Sequence, residues 1–394
     1  MNQHMIRRYA NMLARVGINV QQGQKVLVEA CIEGHAFANV FAEECYKCGA
    51  SEVIINYLDL PFLKTKATYQ KDEEVRKIQD WEVERYQKAL DEGACTIRLE
   101  GVNPKLMESA TETQANAIFS YIDNMRNIMR KASREYKCQW CIAMVPTYEW
   151  ATLMFPELNA HEALSKLWDL IFKLCYLTED NDIVQVWEEK NKRNHEQGKK
   201  LDALNLKAFH YTASNGTDLT VELTPISKFS FDMPTDRISF NANIPTEEIF
   251  TSPYKYGTNG VVYSSRPLIL GGKMVDNFGF KFENGKVVEV LASEGKEMLE
   301  SLISTDEGSC YLGECALVEY SSPISQSGLV YYNTLIDENA SCHLALGSAF
   351  GNSELLNQSS IHVDFMIGTS DMNIDGLKED GTWIPIFRNG DFVI

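Results

Sequence analysis

The segment spanning residues 24–57 constrains the fold most. Residues 24–30 (QKVLVEA) read as a strand after a glycine-containing turn, residues 36–48 carry a helical pattern, and residues 51–57 (SEVIINY), entered through Gly49, read as a second strand. Strand, crossover helix and strand is the arrangement of a parallel sheet. Residues 94–100 and 140–145 are further strand candidates, and helical patterns cover residues 71–91, 105–136, 160–176 and 181–194. The first half is thus expected to be an α/β domain on a mainly parallel sheet. Neither GxGxxG nor GxxxxGK[ST] follows any of these strands, so no phosphate cradle is signalled and this half reads as a scaffold and substrate-excluding wall.

The pattern changes at the basic, polar stretch 191–201. Beyond it come short β-type runs at residues 209–213, 219–223, 260–264, 279–282 and 286–290, with turns at Asn215-Gly216, Gly271-Gly272 and Asn284-Gly285. An Asn-Gly pair between alternating runs is a strong hairpin signal. One helical pattern, residues 294–303, interrupts them. The expected organisation is residues 1–195 as the α/β domain and residues 196–394 as an α+β, largely antiparallel domain.

Length agrees, because 394 residues exceed one ordinary core. The formal charge of −18 argues against a nucleic-acid surface, which needs clustered cations, and suits a cationic or metal-bound site. Arg7 and Arg8 precede any apolar run, and no stretch approaches the ~18 apolar residues of a membrane span. A cytoplasmic protein is expected, its ten cysteines free thiols. Of the two CxxC pairs, Cys45/Cys48 falls in a helical pattern and Cys138/Cys141 begins a strand, so neither reads as a zinc ribbon.

The second half gathers chemistry around residues 342–364. In Ile361-His362-Val363-Asp364-Phe365 polar and apolar residues alternate, so His362 and Asp364 project from one face of a strand. An imidazole and a carboxylate so aimed suit a divalent ion such as Zn²⁺, or simply bond to each other. His343 opens the same stretch. Glu247 and Glu248 lie between Pro245 and Pro253, in a constrained loop or strand end. Glu314 stands alone in the apolar run LGECALV, where burial demands a cationic partner or a metal. No GxSxG elbow surrounds Ser321 or Ser322.

The blocks NIPTEEIFTSP (243–253), LGE (312–314), NTLIDENA (333–340) with His343, and HVDFMIG (362–368) resemble successive blocks of the thermophilic-type metallo-aminopeptidases, the aminopeptidase T and aminopeptidase S group. The likeness continues through GQKV (23–26) and PTYEWA (146–151), so it covers nearly the whole chain. It implies a two-metal exopeptidase acting on peptides with a free N-terminus, an α/β N-terminal domain and a metal-bearing C-terminal domain that forms a homodimer. The ligands it implies are Glu248, Glu314, His343, His362 and Asp364, with Glu314 bridging. Glu248 is taken over Glu247 because it stands directly before Ile-Phe-Thr. The ions would be Zn²⁺ first, with Co²⁺ or Mn²⁺ fitting the same ligands.

Two departures accompany the likeness. The group usually has a tyrosine seven residues after the first histidine, where this chain has Phe350, and the connection from there to His362 is short. A phenol could hydrogen-bond a developing oxyanion or give a proton, and phenylalanine can do neither. The catalytic role at position 350 therefore stays open, with Tyr331 and Tyr332 as substitutes and no general base assigned. The alternative is a weakened or inactive relative that binds peptides beside structural metals. Phosphate-ester hydrolysis is less favoured, as no Arg or Lys cluster lies near the ligand blocks.

Overall fold

The computed structural model describes residues 2–101, 110–134, 138–230, 238–270, 273–351 and 353–394. They form two compact units. One runs to Glu188 and regains a later stretch ending at Pro245; the other begins at Glu189 and resumes from Thr246 to Ile394.

The first unit is built on a parallel five-stranded sheet in the order Glu52–Leu58, Lys25–Cys31, Cys95–Glu100, Trp140–Met144, Asn243–Ile244. Val26, Leu27 and Val28 are all fully buried, the continuous apolar run of a strand covered on both faces. Helix His35–Lys47 makes the expected crossover between the first two strands and contains Cys45. Helix Ala160–Leu174 starts where the Asn159 side chain accepts from the amides of His161 and Glu162. The stretch 71–91, expected as one helix, is two: Asp72–Arg76 and Asp80–Asp91. The break is local chemistry, since the Glu82 carboxylate accepts the Gln79 amide at 2.8 Å and starts a new helix there. A further helix, Leu60–Tyr69, was not anticipated. The long helix spans Glu112–Arg134, opened by reciprocal bonds between Thr111 and Gln114. Residues 105–109 and 135–136 of that expectation lie outside the described residues.

The helix expected over 181–194 extends as Ile183–Ala203 through the polar stretch 191–201. That stretch is a mostly solvated helix in which Gly198 and Leu201 are buried, not a linker.

The second unit stacks an eight-stranded antiparallel sheet against a four-stranded one. Asn284 and Gly285 both take positive φ and close the predicted hairpin between Phe278–Glu283 and Lys286–Ala292. The Gly271-Gly272 turn lies outside the described residues. Phe209, Tyr211, Leu219 and Phe280 of the larger sheet pack into one core with Cys315, Leu317, Leu344, Leu346 and Phe365 of the smaller. That core covers one face of the small sheet and leaves the other for the site. The cysteines form no disulfide, and among the described residues no helix is long and apolar enough to cross a membrane.

Candidate metal centre

The small sheet runs His362–Met366, His343–Gly347, Leu312–Leu317, Ile249–Thr251, every neighbour antiparallel. Cross-strand partners share a face. One row reads Glu314, Ala345, Asp364; the next reads Phe250, Ala316, His343, Met366. Glu314, His343, His362 and Asp364 therefore project together, and the methyl groups of Ala316 and Ala345 stand between the ligating side chains. Glu248 lies just before its strand, two residues from Phe250.

A bulge sets this phase. Leu312 pairs with Leu346 but Glu314 with Ala345, so the extra residue, Gly313, sends Leu312 into the core and Glu314 onto the opposite face. Simple alternation would have put both on one side. A Cβ at Gly313 would lie 2.4 Å from the Ser348 carbonyl oxygen and 2.5 Å from that of Gly347. Gly313→Ala should thus cost about 1–3 kcal/mol through forced backbone movement. It should also weaken metal binding, because Ser348 orients His362. A lowered thermal midpoint and lower metal affinity are expected; a variant matching the parent in both would remove the argument.

Nε2 of His343 lies 3.2 Å from Glu248 Oε2 and 3.8 Å from Glu314 Oε1. Nε2 of His362 lies 3.2 Å from Glu314 Oε2 and 3.5 Å from Asp364 Oδ1. Two triads result, Glu248/Glu314/His343 and Glu314/His362/Asp364, each with its ligating atoms within 4.8 Å of one another. Both use Glu314. Nδ1 of His343 faces the Ser341 carbonyl at 3.2 Å, and Nδ1 of His362 faces that of Ser348 at 2.7 Å. Because a carbonyl only accepts, Nδ1 donates in each ring, and Nε2 is the atom each ring turns to the site, as in metal-ligating histidines.

The electrostatics call for positive charge. Burial pushes Glu314 up to about 7; the His362 hydrogen bond opposes this, and the charges of Asp364 and Glu248 add to it. Burial alone would lower both histidines, yet Glu248 for His343 and Asp364 for His362 reverse the sign and raise them. Asp364 is held low because His362 outweighs its burial. The site thus gathers protons where divalent ions would otherwise balance the carboxylates.

All five ligand candidates come together, while Glu247 turns away. Its Oε2 meets Lys190 Nζ at 2.6 Å and its amide donates to Asn339 Oδ1 at 2.6 Å. Sequence reasoning missed Glu338, at the end of helix Thr334–Glu338. Burial first, then the charges of Asp364 and Glu248, push its carboxyl well up, and its helix packs against the strand His362–Met366. Its signal lay in the quoted block NTLIDENA, five residues before His343. Tyr331 is fully buried with Ser327 and Asp337 as its electrostatic neighbours. The Phe350 ring borders His362 at 5.3 Å between centroids. Outside the site, His210 pairs with Asp218 and His161 with Tyr148, ordinary polar partnerships.

The model of one protein family, thermophilic metalloprotease (M29), matches residues 2–392. The chain belongs to the M29 metalloprotease family. Aminopeptidase AmpS of Bacillus subtilis is 38% identical over 400 residues, covering 98% of this chain and 97% of that protein. Aminopeptidase T of Thermus thermophilus is 35% identical, covering 99% and 98%. The solved structure of wild-type AmpT from Thermus thermophilus superposes with a TM-score of 0.93 at 35% identity over the whole of both chains. This M29 chain therefore shares both the fold and the length of its relatives, and metal-dependent peptide hydrolysis is the chemistry of its family.

Proposed function

We propose that this M29 protein is an aminopeptidase that removes N-terminal residues from peptides, using two divalent ions held by Glu248, Glu314, His343, His362 and Asp364. The observation that carries the reading is the pair of ligand triads sharing Glu314. The donors suit such ions: neutral Nε2 atoms fixed by carbonyls behind them, and carboxylates from several strands. Charge agrees as well, since Glu248, Glu314, Glu338 and Asp364 together balance two 2+ ions. Nitrogen and carboxylate ligands favour Zn²⁺, with Co²⁺ or Mn²⁺ as fits to the same set.

When bound, two divalent ions sharing a carboxylate acidify a water and polarise a peptide carbonyl. The residues do the rest. Glu314 holds the two halves of the site in register, and the histidines are pre-aimed by the carbonyls behind them. A carboxylate that met the substrate's α-ammonium group would restrict cleavage to the N-terminus. A cytoplasmic setting fits ten cysteines without a disulfide, and a homodimer rests on the family resemblance.

The test is release of free amino acids from unblocked and N-acetylated peptides, after chelation and again after adding Zn²⁺, Co²⁺ or Mn²⁺. Metal-restored cleavage confined to unblocked peptides is expected. Phe350 favours a second reading, because it brings no hydroxyl to the site: peptide binding beside structural metals. A folded protein that holds two ions and cleaves nothing would establish that one instead.

A further inference from the structure

We propose that Phe350 and Phe250 form the wall that receives the side chain of the substrate's first residue, so that this chain prefers peptides beginning with an apolar residue. The inference rests on the aminopeptidase reading and adds to it a substrate class.

Phe350 is 50% exposed, although its ring stands edge-on to His362, with centroids 5.3 Å apart and planes at 70°. Phe250 lies against it at 5.1 Å. Phe250 in turn occupies the sheet row of Ala316 and His343. Phe350 thus borders His362 of one triad, and Phe250 stands on the same sheet face as His343 of the other. A large apolar side chain left in water beside a polar centre gains by being covered, and the side chain next to the reacting carbonyl is the group the reaction brings there.

The exposed ring is also held in place. The Phe350 amide donates to Ser252 Oγ at 2.9 Å, and that hydroxyl donates back to the Phe350 carbonyl at 3.2 Å. Ser252 itself is buried. The chain on either side is tied down: the Ala349 amide donates to the Asn357 carbonyl at 2.9 Å, and the Asn357 side chain donates to the carbonyls of Gly347 and Gly308 at 2.6 and 2.7 Å. Further along, Ser360 Oγ donates to Asp306 Oδ2 at 2.6 Å. The backbone of Phe350 is therefore held on both its amide and its carbonyl, with the ring set beside His362. Neither ring offers a hydrogen bond, so a polar first side chain would lose water without compensation.

The experiment measures kcat/KM on metal-loaded full-length protein for tripeptides X-Gly-Gly with X as Leu, Phe, Gly, Lys or Asp. It uses the parent chain, Phe350→Ala and Phe350→Leu, with bound metal counted in each. The parent should favour Leu and Phe over Gly by about tenfold or more. Phe350→Ala should reduce the Phe-to-Gly ratio by about tenfold while both ions stay bound, and Phe350→Leu should restore most of it. Cleavage with an unmoved ratio, or a parent that prefers Lys to Leu, overturns the wall alone. No cleavage of any tripeptide overturns the aminopeptidase reading, and the wall with it.

Discussion

Glu314→Gln is expected to lower peptide hydrolysis by about a thousandfold, equivalent to ~4 kcal/mol of transition-state stabilisation, and to reduce bound metal. The carboxamide keeps the shape of the side chain, so packing on the small sheet is preserved. It removes the charge that both triads share, and its amino group would face cations or Nε2 lone pairs where an oxygen stood. His343→Ala is the informative control, since it strips a ligand from one triad only and should leave the other ion bound. Elemental analysis of the purified variants, alongside amino-acid release, checks both. A Glu314→Gln protein with two ions and the parental rate would sink the shared-ligand reading.

The second large effect is expected at Lys190, away from the ligands. Its ammonium and the Glu247 carboxylate meet at 2.6 Å with side chains only 4% and 7% exposed. Burial lowers the lysine's pKa, and Glu247 counters that shift. Deleting one partner of such a pair removes the charge that balances the other, so Lys190→Met should destabilise the protein by up to about 3–5 kcal/mol. Adding Glu247→Gln should recover most of the loss, because the stranded charge is then gone. The consequence reaches the site. Glu247 is bonded through its amide to Asn339, whose side chain also donates to the Leu335 carbonyl at 2.9 Å. Loosening it moves Glu248 on one side and Glu338 on the other. Thermal unfolding of the single and double variants, with zinc titration of each, checks both claims. A single variant as stable as the parent would show that the pair is dispensable.

Much of this was legible because it is local. Alternation in IHVDF marked the strand His362–Met366, Asn284-Gly285 marked the hairpin between Phe278–Glu283 and Lys286–Ala292, and the apolar run around Val26 marked a buried parallel strand. The blocks that supply the two triads stood out through the family resemblance, with Glu314 marked besides as a lone carboxylate in an apolar run. Three features escaped for physical reasons. The phase of Glu314 depends on a bulge whose cause, the carbonyls of Gly347 and Ser348, lies in another strand. Glu338 looked like any acidic helix-end residue until folding brought Asp364 and Glu248 to it. Lys190 sat in a run of charges on a polar helix, and only its partner distinguishes it from its solvated neighbours.

The order of strands across the small sheet carries a further consequence. Ile249–Thr251 and His362–Met366 form its opposite edges, with the strands that hold Glu314 and His343 between them. During synthesis, which runs from the N-terminus, Glu248 and Glu314 are made well before His362 and Asp364, and His343 only shortly before them. The triad Glu248/Glu314/His343 is therefore complete in the sequence before the other, which closes only when the edge strand His362–Met366 pairs with His343–Gly347.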